Sequence, residues 1–122
     1  MVVSTLRLFP PREQRRHVLS VLRSVLGPTQ AQPHCRSCHL FEEDGYDEAI
    51  LFMEQWDEDE AFFNHVRSEL YNRVLAAVEL SRIQPEFKFL FVKEMRGMEL
   101  IEATRRQPPA ENIATEARNH ER

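Results

Sequence analysis

Two titratable side chains in the middle of the chain, Glu54 and His65, are of the types that move protons in catalysis. His65 falls beside the apolar stripe of a predicted helix, and a histidine at the edge of an apolar cavity could take a proton from a phenol or quinol. Glu69, one turn later, is a candidate acceptor for the histidine N–H if that helix is unbroken. The other interpretation of His65 is a packing histidine satisfied by a backbone carbonyl.

Aromatic residues accompany Glu54 on its predicted strand. Alternation along the strand puts Phe52 and Trp56 on the same face as Glu54, so a carboxylate would lie among apolar groups. A carboxylate in such a place needs a partner, and the candidates are Arg7 on the neighbouring first strand or an arginine from another subunit. Trp56 is either a pocket wall or simply part of the core.

A second motif, Cys-Arg-Ser-Cys-His at residues 35–39, has the pattern of c-type haem attachment, and His34 before it adds a possible zinc ligand. Residues three apart in a strand point to opposite faces. We therefore expect that Cys35 and Cys38 cannot bind the same metal ion or the same porphyrin. No second ligand pair has zinc-like spacing. We therefore predict no metal, no haem, and two buried or half-buried thiols in a sheet.

Length and composition limit the classes of protein. A chain of 122 residues makes one domain, and apolar and charged fractions of 42% and 30% exclude disordered and fibrous proteins. No apolar run approaches the roughly 20 residues of a membrane helix. The N-terminal MVVSTLRLFPP has neither the charged leader nor the cleavage site of a secretory signal. We expect a cytoplasmic protein with no membrane partner and with reduced cysteines.

The net charge of −4 is unevenly distributed along the chain. Six arginines and a single acid lie within residues 1–40, whereas residues 41–66 contain ten acids and no Lys or Arg. A basic first helix could indicate nucleic acid. The arginines are better explained as the solvated face of an amphipathic helix in an acidic chain, so we expect no nucleic-acid partner.

The pattern of elements predicts an α+β fold. Strands are predicted at residues 2–9, 34–42, 49–56 and 86–93, with a short extra strand at 98–102. One helix is predicted over 11–26, ended by Gly27 and Pro28, and a second runs from an Asp57 N-cap to about residue 81, with a break near 67–68. An Asp-Gly turn spans residues 42–46. We expect the domain to cover 1–104 and a flexible tail to cover 105–122.

This order is that of a ferredoxin-like (split βαβ) sheet with its helices on one face. The strand at 49–56 is apolar on both faces, with Ala49, Leu51 and Met53 on the side away from Phe52. Since the helices cover only one face, the other face needs a partner. We expect a homodimer formed through the sheet face.

Residues 49–66, AILFMEQWDEDEAFFNHV, resemble the central segment of the antibiotic biosynthesis monooxygenase (ABM) family, which includes small quinol monooxygenases. The matching positions are Met53, Glu54, Trp56, Asp57, Ala61, Phe62 and His65. The resemblance implies a dimeric α/β barrel. It also implies oxidation of electron-rich phenols and quinols by molecular oxygen without flavin, haem or metal, so no cofactor is expected.

Under this resemblance the site residues take roles in the oxidation of a small aromatic substrate. Trp56, Phe52 and Phe62 would shape the pocket, His65 would be the base, and Glu54 or Arg7 would orient the substrate. Two alternatives remain open: a non-catalytic dimeric module that binds a small aromatic or stress metabolite, and a structural dimer whose interior is filled by its own side chains.

Haem degradation, which other members of the family perform, is disfavoured. Those members use an Asn on the first strand, and here the first strand reads VVSTLRLF. His65 occupies the place expected for their helical Trp, and their later His falls near Val74, which cannot ligate iron.

Overall fold

The structure is a computed structural model that describes residues 1–45 and 48–109. Its strands are β1 (Val2–Leu8), β2 (Cys35–Glu42), β3 (Ile50–Trp56) and β4 (Glu86–Phe91). Its helices are α1 (Arg15–Gln30), α2 (Asp59–Val66), α3 (Glu69–Val78) and α4 (Met98–Arg106), with a 3-10 turn at Arg12–Gln14. The predicted α+β, ferredoxin-like fold is confirmed.

The four strands form one antiparallel sheet in the order β2-β3-β1-β4. Even-numbered residues of the two central strands are buried beneath the helices, as the period of two requires. The main core forms where Leu6 and Phe52 meet Leu22 of α1 and Val74 of α3. This side of the sheet, the front face, also carries Glu54 and Trp56.

The opposite side, the back face, differs from the prediction because its residues are mixed. Leu51 and Met53 are half-buried there, but their neighbours on β1 are Thr5 and Arg7. Gln55 also lies on this face. The apolar surface that would need a partner is therefore interrupted by polar groups.

Helix α1 does not end at Gly27 and Pro28, as predicted, but continues to Gln30. Proline lacks one N–H, so in the last turn it costs a single hydrogen bond. The turn is held by the Ala31 N–H, which donates to the Gly27 carbonyl at 3.0 Å, and by Thr29, which is fully buried. Tertiary packing outweighs the local stop signal.

The predicted break at residues 67–68 is confirmed, and it separates α2 from α3. The predicted Asp57 cap is wrong because α2 begins one residue later, with Glu58 as N-cap and no side-chain capping bond. Ser68 caps α3, with its hydroxyl accepting the Tyr71 N–H. The break lets the second half of the segment change direction and cover the core.

We expect Ser68→Ala to lower the free energy of unfolding by about 1 kcal/mol, since one N–H of the first turn of α3 then loses its acceptor. Urea unfolding followed by circular dichroism measures the change. Ser20→Ala on the exposed side of α1 is the control. Equal stabilities for the two variants would show that the cap does not stabilise α3.

The segment before the C-terminal tail forms a helix and not the predicted strand. The short strand predicted at 98–102 is wrong, because residues from Met98 form α4. Glu99 in its first turn and Arg105 and Arg106 in its last turn suit the helix dipole. A hydrogen bond from the Gly97 N–H lowers the pKa of the Glu99 carboxyl.

Most of the predicted tail, from residue 110, lies outside the described residues, as does Tyr46 of the Asp-Gly turn.

Candidate active site

Glu54 is a buried carboxylate, and two ring nitrogens lie close to one of its oxygens. The Trp56 indole Nε1 donates a hydrogen bond of 2.9 Å to Glu54 Oε1. The same oxygen lies 3.0 Å from His65 Nε2, within ion-pair distance, although the ring N–H is not aligned for a hydrogen bond. The side chains of Glu54 and His65 are 1% and 0% exposed.

The other histidine nitrogen has a partner that the sequence did not reveal. The Gln32 side-chain Nε2 lies 3.1 Å from His65 Nδ1. An amide nitrogen can only donate, so Nδ1 is the acceptor and the ring proton is on Nε2, towards Glu54. The loop between α1 and β2 positions Gln32. Nothing in its local sequence indicated a contact with a helix 33 residues later.

Aromatic rings enclose the histidine on two further sides. The Trp56 ring centroid lies 4.9 Å from the His65 ring, and Tyr71 of α3 meets it edge-on at 5.3 Å. Burial, with a smaller contribution from the charge of Glu54, raises the pKa of Tyr71 to about 12. Tyr71 therefore remains neutral beside the pair at physiological pH.

A row of rings leads from Trp56 to the surface. Trp56 contacts Phe62 at 6.4 Å between centroids, and Phe62 contacts Phe89 of β4 at 5.8 Å. The row opens into a groove of about 240 Å³ between α2 and β4, with no polar lining. Its lining residues are Phe62, Phe63, Val66, Phe89 and Phe91. We call this the aromatic groove.

The predicted site residues are thus brought together only in part. Glu54, Trp56 and His65 meet directly, and Phe62 joins them through Trp56. Trp56 and His65 have no exposed surface, so neither faces solvent. Phe52 belongs to the main core beneath α1 and α3. It does not line the aromatic groove.

The predicted pairing of Glu54 with Arg7 is wrong, because odd-numbered residues of β1 point to the back face. There the Arg7 guanidinium bonds to Glu43 and, at 2.9 Å, to Glu86. These carboxylates raise the pKa of Arg7. The predicted Glu69 acceptor for His65 is also wrong, because the helix breaks between the two residues.

The predicted orientation of the two cysteines is wrong as well. A bulge at the start of β2 shifts the register, so Cys35 pairs with Trp56 and Cys38 with Glu54. Both thiols therefore lie on the front face. Both are free, and among the described residues no group of three or more His, Cys, Asp or Glu side chains is placed to hold a metal ion.

We expect both thiols to react slowly with iodoacetamide near pH 8, since alkylation requires the thiolate. Burial, followed by the charge of Glu54, raises the pKa of Cys35 and of Cys38. Cys38 should remain unmodified in the folded protein, and Cys35 should react about tenfold more slowly than in the unfolded chain. Mass spectrometry with and without denaturant measures this, and equal rates would contradict the buried placement.

The fold and its connections define an α+β domain of the ferredoxin-like class, and none of the described helices is long and apolar enough to cross a membrane. The family model for antibiotic biosynthesis monooxygenase matches residues 1–77, more than half of the chain. The chain therefore belongs to that family, and the resemblance seen in residues 49–66 is confirmed. A search of curated proteins gave no match.

Solved structures share the fold at low sequence identity. The Mycobacterium tuberculosis protein Rv0793 is 23% identical, with 79% of this chain and 98% of that chain covered and a TM-score of 0.70. A candidate antibiotic biosynthesis monooxygenase from Deinococcus radiodurans is 19% identical, with 80% and 98% covered and a TM-score of 0.71. PA3566 from Pseudomonas aeruginosa is 17% identical, with 76% and 94% covered and a TM-score of 0.65.

Proposed function

We propose that this protein is a monooxygenase that oxidises a small phenol or quinol with molecular oxygen and needs no flavin, haem or metal. The observation that carries the proposal is the buried His65–Glu54 pair at the inner end of the aromatic row. Membership in the family supports the reaction class. The apolar lining of the groove supports an aromatic substrate.

The proposed reaction converts a phenol with a free para position to a quinone. The phenol first loses its O–H proton. The electron-rich ring carbon para to that oxygen then transfers electrons to molecular oxygen and forms a C–O bond with it. That carbon then loses its hydrogen, and the bond between the two oxygen atoms breaks. One oxygen atom remains as the new carbonyl, and the other leaves as water with the two hydrogens. The substrate loses four electrons, which are those that one molecule of oxygen accepts.

His65 is the proposed proton acceptor, through Nδ1. When the Gln32 amide moves away, Nδ1 has a free lone pair, while Nε2–H remains towards the Glu54 carboxylate. The imidazolium formed on protonation would be stabilised by that carboxylate, as in other base–carboxylate pairs. Glu54 therefore acts by positioning and charge, and Gln32 by covering the acceptor when no substrate is bound.

The substrate ring is proposed to lie in the aromatic groove, against Phe62. Phe62 and Trp56 both lie between the groove and His65, so both rings must move to bring the substrate close to His65. The enclosed apolar walls would exclude water from the phenolate and from reduced oxygen intermediates. Arg7 has no part in this substrate position, because it lies on the back face and bonds to Glu43 and Glu86.

A homodimer through the back face, in the cytoplasm, is part of this proposal. Leu51 and Met53 of β3 and Leu90 of β4 provide apolar surface there, around a cavity of about 300 Å³ that Arg7 also lines. A second sheet packed on this face would remove these side chains from water. The domain is proposed to continue past residue 104, because α4 ends only at Arg106.

Oxygen uptake with a panel of para-unsubstituted phenols tests the proposal. Hydroquinones belong in the panel as well, because the same steps at a free ring carbon next to an O–H group give a hydroxyquinone and water. We expect one molecule of oxygen to be consumed for each quinone formed. For His65→Ala we expect a kcat at least about 100-fold lower, in line with the usual contribution of a general base. His17→Ala, which removes an exposed histidine of α1, is the matched control and should leave kcat unchanged. Thermal melting checks that both variants fold, and buffer alone corrects for autoxidation.

A non-catalytic role is the second candidate, and one observation favours it. His65 has no exposed surface and its Nδ1 is already occupied by Gln32, as in a packing histidine. In that case the panel compounds should bind in the groove without oxygen uptake. Binding of a fluorescent aromatic probe that is unchanged in His65→Ala but lost in Phe89→Glu would identify this role.

A further inference from the structure

Helix α4 carries an apolar side that is left exposed by residues 1–45 and 48–109, the part of the chain that the structure describes. Met98, Leu100 and Ile101 are 69%, 41% and 55% exposed. At 100° per residue these three lie on one side of the helix, and Glu99, Glu102 and Arg106 lie on the other. A short helix with an apolar side in water is marginal without packing, so its sequence indicates a docking partner.

The aromatic groove is a matching surface on the same chain. Phe89 and Phe91 of β4 are 42% and 53% exposed, and Val66 at the end of α2 is 38% exposed. Strand β4 is an edge strand, bonded only to β1, so no further strand shields this side of the sheet. None of the residues that line the groove comes from α4. The chain therefore exposes two apolar surfaces that do not contact each other.

We propose that α4 of a second copy of this chain docks over the aromatic groove, antiparallel to α2. The two helices match in length, because eight and nine residues at about 1.5 Å each give about 12 and 13 Å. By two-fold symmetry each copy gives one helix and receives one. The docking does not depend on the proposed chemistry, and it would add to the back-face contact proposed above. In such a dimer α4 would lie across the outer mouth of the groove and shield a substrate ring against Phe62 from water.

Charge complementarity sets the antiparallel direction. The first turn of α2 carries Asp59 and Glu60, and the last turn of α4 carries Arg105 and Arg106. In an antiparallel arrangement these opposite charges lie side by side. The acidic start of α4, at Glu99, then lies beside Arg67 at the end of α2. A parallel arrangement would put acids beside acids and is disfavoured.

The course of the chain after β4 favours docking of α4 on the groove of a second copy and not on the groove of its own chain. The Val92 N–H donates to the Met1 carbonyl at 2.8 Å, so the chain continues along the line of the strand. Residues 93–96 form no hydrogen-bonded turn that would reverse it. The six residues 92–97 span up to roughly 20 Å, enough to cross to a neighbouring subunit.

Site-directed disulfide formation between two different copies tests the docking. One copy carries Val66→Cys, the other Ile101→Cys, and the two are mixed in equal amounts and oxidised. We expect a covalent dimer linked between positions 66 and 101, at about tenfold the yield of a control pair in which Ser20→Cys replaces Val66→Cys. Mass spectrometry identifies the linked peptides, so the native thiols can remain. Yields equal to the control would overturn the proposal.

Two further measurements separate the possible occupants of the groove. If a chain with both substitutions closes the disulfide within a monomer, α4 covers its own groove and the proposal is wrong. In sedimentation equilibrium we expect Ile101→Glu to raise the dimer dissociation constant at least about tenfold. Glu102→Gln, on the polar side of α4, should change it less than about twofold. An unchanged dissociation constant for Ile101→Glu would also overturn the docking.

Discussion

Glu54→Ala is expected to lower the free energy of unfolding by about 4 kcal/mol, since it breaks a buried pair and leaves the partner groups behind. The Trp56 indole N–H and His65 Nε2 both lie within 3.0 Å of Glu54 Oε1, and neither can reach water once the carboxylate is gone. The Trp56 N–H would lose its acceptor, which costs about 1 to 3 kcal/mol, and His65 would lose the carboxylate next to Nε2. The cavity left by the side chain adds to this loss.

Chemical denaturation of three variants measures this effect. Glu54→Gln keeps an oxygen for the Trp56 N–H and should cost about 1 to 2 kcal/mol. The double variant Glu54→Ala/His65→Ala should lose clearly less than the sum of the two single variants, because the carboxylate and the imidazole share one contact. Additive losses would show that Glu54 and His65 do not interact in the folded protein.

Trp56→Ala should have a comparable effect, with a loss of about 4 kcal/mol. The side chain is fully buried and joins Val2 and Phe62 in a small second core at the end of the sheet. Removing it leaves a large cavity and also takes the hydrogen bond from Glu54 Oε1. The aromatic row between the groove and His65 would then be interrupted, so the proposed oxygen uptake should fall as well.

Trp56→Phe separates packing from hydrogen bonding. It keeps most of the ring and removes the indole N–H, so we expect a loss of about 1 to 2 kcal/mol. Phe63→Ala, which truncates a half-buried ring of the same cluster, should cost less than Trp56→Ala. If Trp56→Ala lost less than about 1 kcal/mol, the second core would contribute little to stability.

The sequence predicted the fold well because strand and helix periods are local and strong. The four main strands, both long helical segments and the break near residue 67 follow from apolar spacing. For the site, alternation in β3 correctly put Glu54 and Trp56 on one face. The direct contact between Glu54 and His65 was not predicted, since the expected partners were Arg7 for Glu54 and Glu69 for His65.

The remaining features depend on tertiary contacts that a local pattern cannot give. The bulge in β2 turned Cys35 to the front face, and no residue type marks a bulge there. Gln32 reaches His65 only because folding brings the loop after α1 beside the end of α2. The apolar and polar residues of the segment 98–102 are compatible with a strand as well as with a helix. Only the charges at both ends of α4 favour the helix.

The central claim, that His65 holds its proton on Nε2 towards Glu54 and keeps Nδ1 as the acceptor, can be measured by NMR of the ring nitrogens in nitrogen-15 labelled protein. We expect a protonated Nε2 and an unprotonated Nδ1 at neutral pH, and His65→Ala identifies the signals. A proton on Nδ1 in a neutral ring would contradict the claim, since Nδ1 could then neither accept from Gln32 nor take a proton from a substrate.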